Sequence, residues 1–393
     1  MDPVRNPYSP NAGAPPPALV GRDPLIESFS IALQRTLIGR SQKGILPTGL
    51  RGAGKTVLLN RFVNDARGLG YAVAQLEAAE PETFVAFLAE QMRLALYELS
   101  LAAKVRDGIT VALGVLKSFS ASFGLTDLSL KLGVDAKLGQ GDSGVLGTDL
   151  TALFIAVAEA ARANGRAVLI AIDELQYVNE EQLSAIFVAL HRTTQLSLPL
   201  LVVGTGLPQL PAIAGNAKSY AERLFDYPII GALSRADTFE AIRAPAIAEG
   251  ADVEDDALER FYELTQGYAY FIQEWAYRVW NAAPRSPITL DDIIASEASV
   301  LESLDESFFR VRYDRLTLRE KRYLRAMAEL GEGPHRSGDV ATLLSVKVES
   351  LGPLRSGLIK KGMIYSPQHG DTAFTVPLFD AFMRRTEPNF TPK

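Results

Sequence analysis

The most specific chemistry in this chain lies in eight consecutive residues, Gly49-Leu50-Arg51-Gly52-Ala53-Gly54-Lys55-Thr56. They fit the spacing G-x-x-x-x-G-K-[ST] without mismatch, the pattern of a backbone arc that cradles phosphate oxygens. Glycines allow positive φ, so successive N–H groups can turn inward onto the anion. The Lys55 ammonium would add a point charge at the β- and γ-phosphates of a nucleotide, and the Thr56 hydroxyl would ligate Mg2+. The second chemical group is Asp173-Glu174, which closes the apolar run Ala167-Val168-Leu169-Ile170-Ala171-Ile172. Asp173 would hold Mg2+ through water, and Glu174 would take a proton from an attacking water as general base. Aspartate is also a common helix N-cap. The metal role is favoured by the complete phosphate loop upstream and by a position at the carboxyl end of a buried strand.

Two further side chains are candidates with open alternatives. Thr205 follows the apolar run 198–204 and could sense the terminal phosphate or the attacking water, although the neighbouring glycines equally suit a plain turn. Arg223, in the stretch Tyr220-Ala221-Glu222-Arg223-Leu224-Phe225, could reach the nucleotide of a neighbouring subunit, although an exposed arginine is usually only solvated.

These residues need strands and helices to hold them. Gly44-Ile45-Leu46 reads as a short buried strand entering the loop, with Pro47 awkward because proline removes a ladder donor. Val57, Leu58, Leu59 and Phe62 give helical spacing over 56 to about 67, and that helix presents its positive end to the same phosphates. Residues 71–76 alternate like a strand, a long helix spans about 82–103, and 149–164 is helical. Between them, Phe119-Ser120-Ala121-Ser122-Phe123 and Leu128-Ser129-Leu130-Lys131-Leu132 alternate apolar and polar, which predicts a hairpin insertion over about 110–147. A short strand over 227–230 ends the alternation.

At 393 residues the chain is too long for one compact core. A hydrophobic share of 47% and a charged share of 22% are ordinary for a soluble globular protein. The absence of cysteine excludes disulfides and thiolate metal sites, and the three histidines, His191, His335 and His369, lie far apart in sequence. No apolar run is long enough to span a membrane and no signal peptide is evident, so a cytoplasmic protein without membrane contact is expected. From Val311 onward there are 14 Lys/Arg and 9 Asp/Glu, a net +5, against −6 for the whole chain and hence −11 for the remainder. A basic end on an acidic body suggests an anionic partner.

The predicted domains are a flexible arm over 1–16, a nucleotide-binding domain over 17–232, a helical lid over 233–302 and a terminal domain over 303–393. The arm is rich in proline, asparagine and glycine. Asp23 and Pro24 open a helix. In the lid, Phe271, Ile272, Trp275, Val279 and Trp280 share one face, and Thr289 caps a further helix. In the terminal domain, Thr317 with Glu320 opens a helix over 316–330, helices over 337–344 and 346–361 follow, and strands over 363–366 and 372–375 flank a turn at His369-Gly370. Helix, helix, helix and hairpin is the winged-helix order. Lys347, Arg355, Lys360, Lys361, Arg384 and Arg385 would supply charge for a duplex DNA backbone; such domains also bind proteins.

Taken together, Leu19-Val20-Gly21-Arg22-Asp23, the loop from Gly49 to Thr56, Ile172-Asp173-Glu174, the Glu222-Arg223 helix, the lid and the winged helix resemble the origin-recognition-like AAA+ ATPases of prokaryotes. The kinship extends to archaeal ATPases and to the signal-transduction ATPases with numerous domains. The resemblance covers roughly residues 17–385, the 110–147 insertion excepted. It implies an α/β fold with a five-stranded parallel P-loop NTPase sheet, ATP with Mg2+ at its carboxyl edge, and Val20-Gly21 lining the adenine. The family's second sensor, an arginine or a Gly-x-Pro turn, would fall at Gly267-Tyr268-Ala269-Tyr270. Ala269 replaces the proline there, and no arginine occurs before Arg278. A slow ATPase switch is therefore expected, engaging DNA or assembling as a homo-oligomer. The alternatives are a signalling or defence ATPase, or a helper ATPase that loads a partner enzyme.

Overall fold

The computed structural model describes residues 1–390 except Ala12, Ala79, Ala102 and His369, with the backbone alone for Leu130. The strands in chain order are β1 (Gly44–Ile45), β2 (Thr48–Gly49), β3 (Ala72–Glu77), β4 (Val168–Asp173), β5 (Leu200–Gly204), β6 (Phe225–Asp226), β7 (Ile229–Ile230), β8 (His335–Arg336), β9 (Ile364–Tyr365) and β10 (Asp371–Phe374). The chain divides into two compact units. One holds Met1–Gly21, Gly49–Gly54 and Ile230–Lys393, and the other holds Arg22–Thr48 and Lys55–Ile229.

The second unit contains a five-stranded sheet in the order β3-β4-β5-β1-β6, with every pairing parallel. Each residue of β4 and β5 is buried, as expected for strands covered by helices on both faces. Pro47 lies just past the end of β1. Its missing N–H costs nothing there, while its carbonyl accepts from Gly206 N–H at 3.1 Å. The final strand of this sheet is Phe225–Asp226, and within the expected 227–230 the strand is Ile229–Ile230 (β7), outside this sheet.

The predicted hairpin does not form. Residues 107–122 are an α-helix (Asp107–Ser122), and a short helix follows at Thr126–Lys131. Phe119 and Phe123, separated by 4.8 Å between ring centroids, are spaced alike for alternation and for one helical turn. Upstream, Ile109, Ala112, Val115, Leu116 and Phe119 recur at helical spacing and are all buried in the same core. That longer apolar face decides the outcome, and the Ser120 hydroxyl satisfies itself on the Leu116 carbonyl one turn back.

The first unit has its own core, shared by the predicted lid and terminal domains. It includes Trp275, Val279 and Trp280 of the helix Ala269–Ala282, as the aromatic stripe predicts, and also Tyr323, Leu324, Phe379 and Phe382. Thr289 and Thr317 cap their helices, each within a complete capping box. After helices at Leu318–Glu329, Ser337–Leu343 and Gly352–Lys360, β9 and β10 pair antiparallel, and β8 adds a third strand that the sequence did not reveal. The His369 part of the predicted turn lies outside the described residues.

The N-terminal residues are not the free arm that their composition predicts. Tyr8 is buried, donates its hydroxyl to the Ile242 carbonyl at 2.6 Å and packs edge-on against Trp280. Asn6 bonds the Tyr277 carbonyl, and Trp280 Nε1 donates to the Asp2 carbonyl at 2.9 Å. Tyr8 and Asn6, with the ion pair of Arg5 to Glu249, supply anchoring that a proline-rich composition conceals.

Candidate active site

The sheet delivers its functional side chains at the carboxyl ends of neighbouring strands. Asp173, the last residue of β4, is 8% exposed. Its Oδ2 accepts from Thr56 Oγ1 at 2.7 Å, and its Oδ1 accepts from the Glu174 N–H at 2.9 Å and from Thr205 Oγ1. The Asp173 carboxyl therefore gathers Thr56, Glu174 and Thr205, three of the residues singled out from the sequence, around one group. Its donors are hydroxyls and a backbone amide, all hard and neutral.

Thr205 is fully buried just beyond β5. Its N–H donates to the Ile172 carbonyl at 2.9 Å, and its carbonyl accepts from Leu175 N–H at 2.8 Å. A Cβ at Gly204 would lie 2.7 Å from the Ile172 carbonyl oxygen and 2.4 Å from Leu175 Cδ1, so glycine is what lets the strand tips approach. Glu174 has φ 55° and ψ 41°, in the left-handed region, which costs a non-glycine residue about 1 kcal/mol. Its carboxylate accepts from Gln176 Nε2, a partner that sequence reasoning overlooked.

Lys55 opens the helix Lys55–Gly68 and is itself 5% exposed, while Thr56 and Val57 are half-buried in its first turn. Arg223 is exposed at the end of the short helix Ala221–Leu224, and among the described residues its side chain makes no hydrogen bond or ion pair.

The glycine arc belongs to the other unit. Gly52 and Gly54 adopt φ of +79° and +90°, the conformation that the phosphate-loop pattern requires. Gly49 lies so close to the Ile230 carbonyl oxygen that a Cβ would sit 2.2 Å from it. Arg51 N–H donates to the Thr375 carbonyl at 2.9 Å, and Tyr270 N–H donates to the Gly52 carbonyl at 3.0 Å. Tyr270 stacks on Phe308, and burial pushes its phenol up to about 12. Burial also pushes the Arg312 guanidinium below its usual range, and the nearby Arg51 charge adds to this. Nothing in the motif spacing announces these contacts from residues 270, 312 and 375. Leu50 and Ala53 complete the arc, with Ala53 buried. Val20 packs on this unit's core, and Gly21, at φ +69°, rests against Asp237 and Leu233. Arg278, the first arginine after Ala269, is tied to Glu274 at 2.5 Å.

The basic residues of the C-terminal region do not form the expected free patch. Lys361 pairs with Glu320 at 2.7 Å, Arg384 with Asp380 at 2.7 Å and Arg385 with Asp305 at 2.5 Å. Arg355 bonds Ser366 and the Asp371 carbonyl. Lys347 and Lys360 are exposed, without side-chain hydrogen bonds or ion pairs among the described residues. Counting charges along a sequence does not reveal such internal neutralisation.

Residues 18–203 match the AAA ATPase domain family. Residues 306–383 match a domain of unknown function (DUF8462). Among solved structures, the Walker-type ATPase of Pyrococcus abyssi is 16% identical, with a TM-score of 0.58 over 91% of this chain and 95% of that one. At that identity the likeness is one of fold. The Orc1 protein of Aeropyrum pernix in complex with DNA aligns at 15% identity with a TM-score of 0.47, over 98% and 96% of the two chains. The RuvB Holliday junction branch migration motor of Thermotoga maritima aligns at 14% with 0.44, over 95% and 96%. No curated protein matches the chain in sequence. The match over residues 18–203 and the five-stranded parallel sheet bear out the P-loop AAA+ ATPase fold recognised in the motifs. No helix among the described residues is long and apolar enough to cross a membrane.

Proposed function

We propose that this chain binds ATP with Mg2+ and works as a slow ATPase switch, coupling nucleotide state to assembly or to duplex DNA through a C-terminal winged helix. The observation that carries the reading is the gathering of Thr56, Glu174 and Thr205 around Asp173 within an AAA ATPase domain. The loop from Gly49 through Leu50, Arg51, Gly52, Ala53 and Gly54 wraps the phosphates, and Lys55, Thr56 and Val57 continue it into the helix. Val20 and Gly21 line the adenine. Thr56 Oγ1 and the Asp173 carboxylate, 2.7 Å apart, are hard oxygen donors that fit Mg2+. When bound there, Mg2+ neutralises charge on the phosphate oxygens.

Glu174 accepts the proton of the attacking water. Thr205 exchanges its bond to Asp173 for one to the terminal phosphate or that water. Arg223, exposed and unengaged, acts on a neighbouring subunit's nucleotide in a homo-oligomer. Slow turnover is supported by the stretch at Ala269, which lacks both proline and arginine, and by the pairing of Arg278 with Glu274. ATP as substrate puts this work in the cytoplasm.

A second reading is favoured by a specific observation. Arg355, Lys361, Arg384 and Arg385 are occupied by internal partners, so of the six cations expected to face DNA only Lys347 and Lys360 are left unengaged among the described residues. In that reading the C-terminal region binds protein, as in a signalling, defence or helper ATPase. Size-exclusion chromatography with ATP, ADP or neither, repeated with duplex DNA, tests both. Co-elution with DNA that weakens steeply with salt supports the first reading. ATP-dependent assembly indifferent to DNA supports the second, and an elution unchanged by nucleotide under every condition overturns the switch.

A further inference from the structure

Gln176 lies two residues beyond Asp173-Glu174 in a 3-10 turn, Leu175–Tyr177. Its Nε2 donates to Glu174 Oε2, and its Oε1 accepts from the Leu207 N–H at 2.9 Å. Chemistry fixes the orientation of this amide, because a carboxylate can only accept and a backbone N–H can only donate. The flip that would reverse the two ends would place like against like at both. The surroundings are shaped to the side chain as well. A Cβ at Gly206 would come 2.9 Å from Gln176 Oε1, so the backbone after β5 is bare where the amide seats.

Glu174 needs such a partner. Its left-handed backbone is unfavourable for a glutamate, and that strain persists only where the surroundings impose it. The backbone on either side is held by Asp173, whose Oδ1 accepts the Glu174 N–H, and by the bond from Leu175 N–H to the Thr205 carbonyl. Gln176 is the side chain that holds the carboxylate end. It also links that carboxylate to the segment just past Thr205, so the two functional strand tips share one amide.

We propose that Gln176 is a positioning residue for hydrolysis: its amide, anchored on Leu207, sets the direction of the Glu174 carboxylate and leaves the second carboxylate oxygen for the water. The proposal rests on the reading of Glu174 as the general base. No bond to the substrate is assigned to Gln176 itself, which acts through Glu174.

The near-isosteric Gln176→Glu variant separates this role from a structural one. A carboxylate at 176 still accepts from Leu207 N–H but offers Glu174 a like charge in place of a donor. ATP hydrolysis under saturating Mg2+ and ATP should fall about tenfold or more, part of the effect of removing a general base. Affinity for a fluorescent ATP analogue and the melting temperature should stay near parental, which gives a kcat effect without a KM effect. The deciding measurement is the same substitution in the Glu174→Gln background. If Gln176 acts through the glutamate, the double variant should hydrolyse no more slowly than Glu174→Gln alone. A parental rate for Gln176→Glu, or equal losses in both backgrounds, would overturn the positioning role. A parental rate for Glu174→Gln itself would instead remove the base, and the positioning role with it.

Discussion

Two regions invited a functional reading from sequence, and they behave differently. At the tips of β4 and β5, Thr56 and Thr205 from two distant stretches and the adjoining Glu174 close on one carboxyl group, Asp173. In the C-terminal region, four of six expected DNA-facing cations turn inward to partners of their own unit. Thr56, Asp173 and Glu174 stand out because motifs fix residue type, spacing and flanking element together, and Thr205 because it follows a buried apolar run. The second was chosen because positive charge accumulates there. Spacing within a motif constrains where side chains meet, whereas a net charge says nothing of which charges are already neutralised at short range.

The comparison can be sharpened by substitution. The largest effect is expected at Lys55, where Lys55→Ala should abolish tight ATP binding while the melting curve is retained. Isothermal titration would expose a wrong phosphate loop if parental affinity survived. Next, Phe119→Ala should destabilise the sheet unit by about 3–5 kcal/mol, because this fully buried ring anchors the Asp107–Ser122 helix to the core. Chemical denaturation measures it, and a loss under about 1 kcal/mol would fit the exposed insertion expected from the alternating pattern better than the helix.

The C-terminal cations should divide by partner. Burial opposes the Glu320 charge, but the Lys361 ammonium and the Thr317 donors outweigh it and hold this carboxyl below its usual range. Its contribution to stability is therefore present at neutral pH and fades as pH falls through the folded-state value. Lys361→Met should lower stability by about 1 kcal/mol at pH 7, since the lysine is 39% exposed and solvent screens the pair. The loss should shrink in acid, as followed by thermal melts across pH. The smallest effect is expected from Lys347→Glu with Lys360→Glu, which should leave stability unchanged. If the region meets a DNA backbone, this pair should flatten the slope of log affinity against log salt by about one unit per lost contact, as read by fluorescence anisotropy. Binding indifferent to both charges would point to a protein partner.

Much of the sheet unit was legible because its signals are local and redundant. Residues 167–172 form an unbroken apolar run that can only be a strand buried on both faces or a buried helix, and the terminal Asp-Glu decides between them. The helix Asp107–Ser122 was misread because Phe119-Ser120-Ala121-Ser122-Phe123 satisfies both periods, and the deciding residues, Ile109 to Leu116, lie outside that window. Tyr8, Tyr270, Thr375 and Gln176 were missed for a different reason. Each acts through a hydrogen bond to a partner whose position depends on the folded chain, although Gln176 stands beside the Asp-Glu pair and Tyr270 within the second-sensor stretch.

The central claim is that Glu174, held beside Asp173, is the base of an ATP-hydrolysing site. Single-turnover phosphate release by the parental chain and by Glu174→Gln, compared at equal ATP occupancy with Mg2+, tests it most directly. ATP affinity should stay within a few-fold of parental, and hydrolysis should slow by about 100-fold or more. Equal rates of phosphate release at equal occupancy would contradict it.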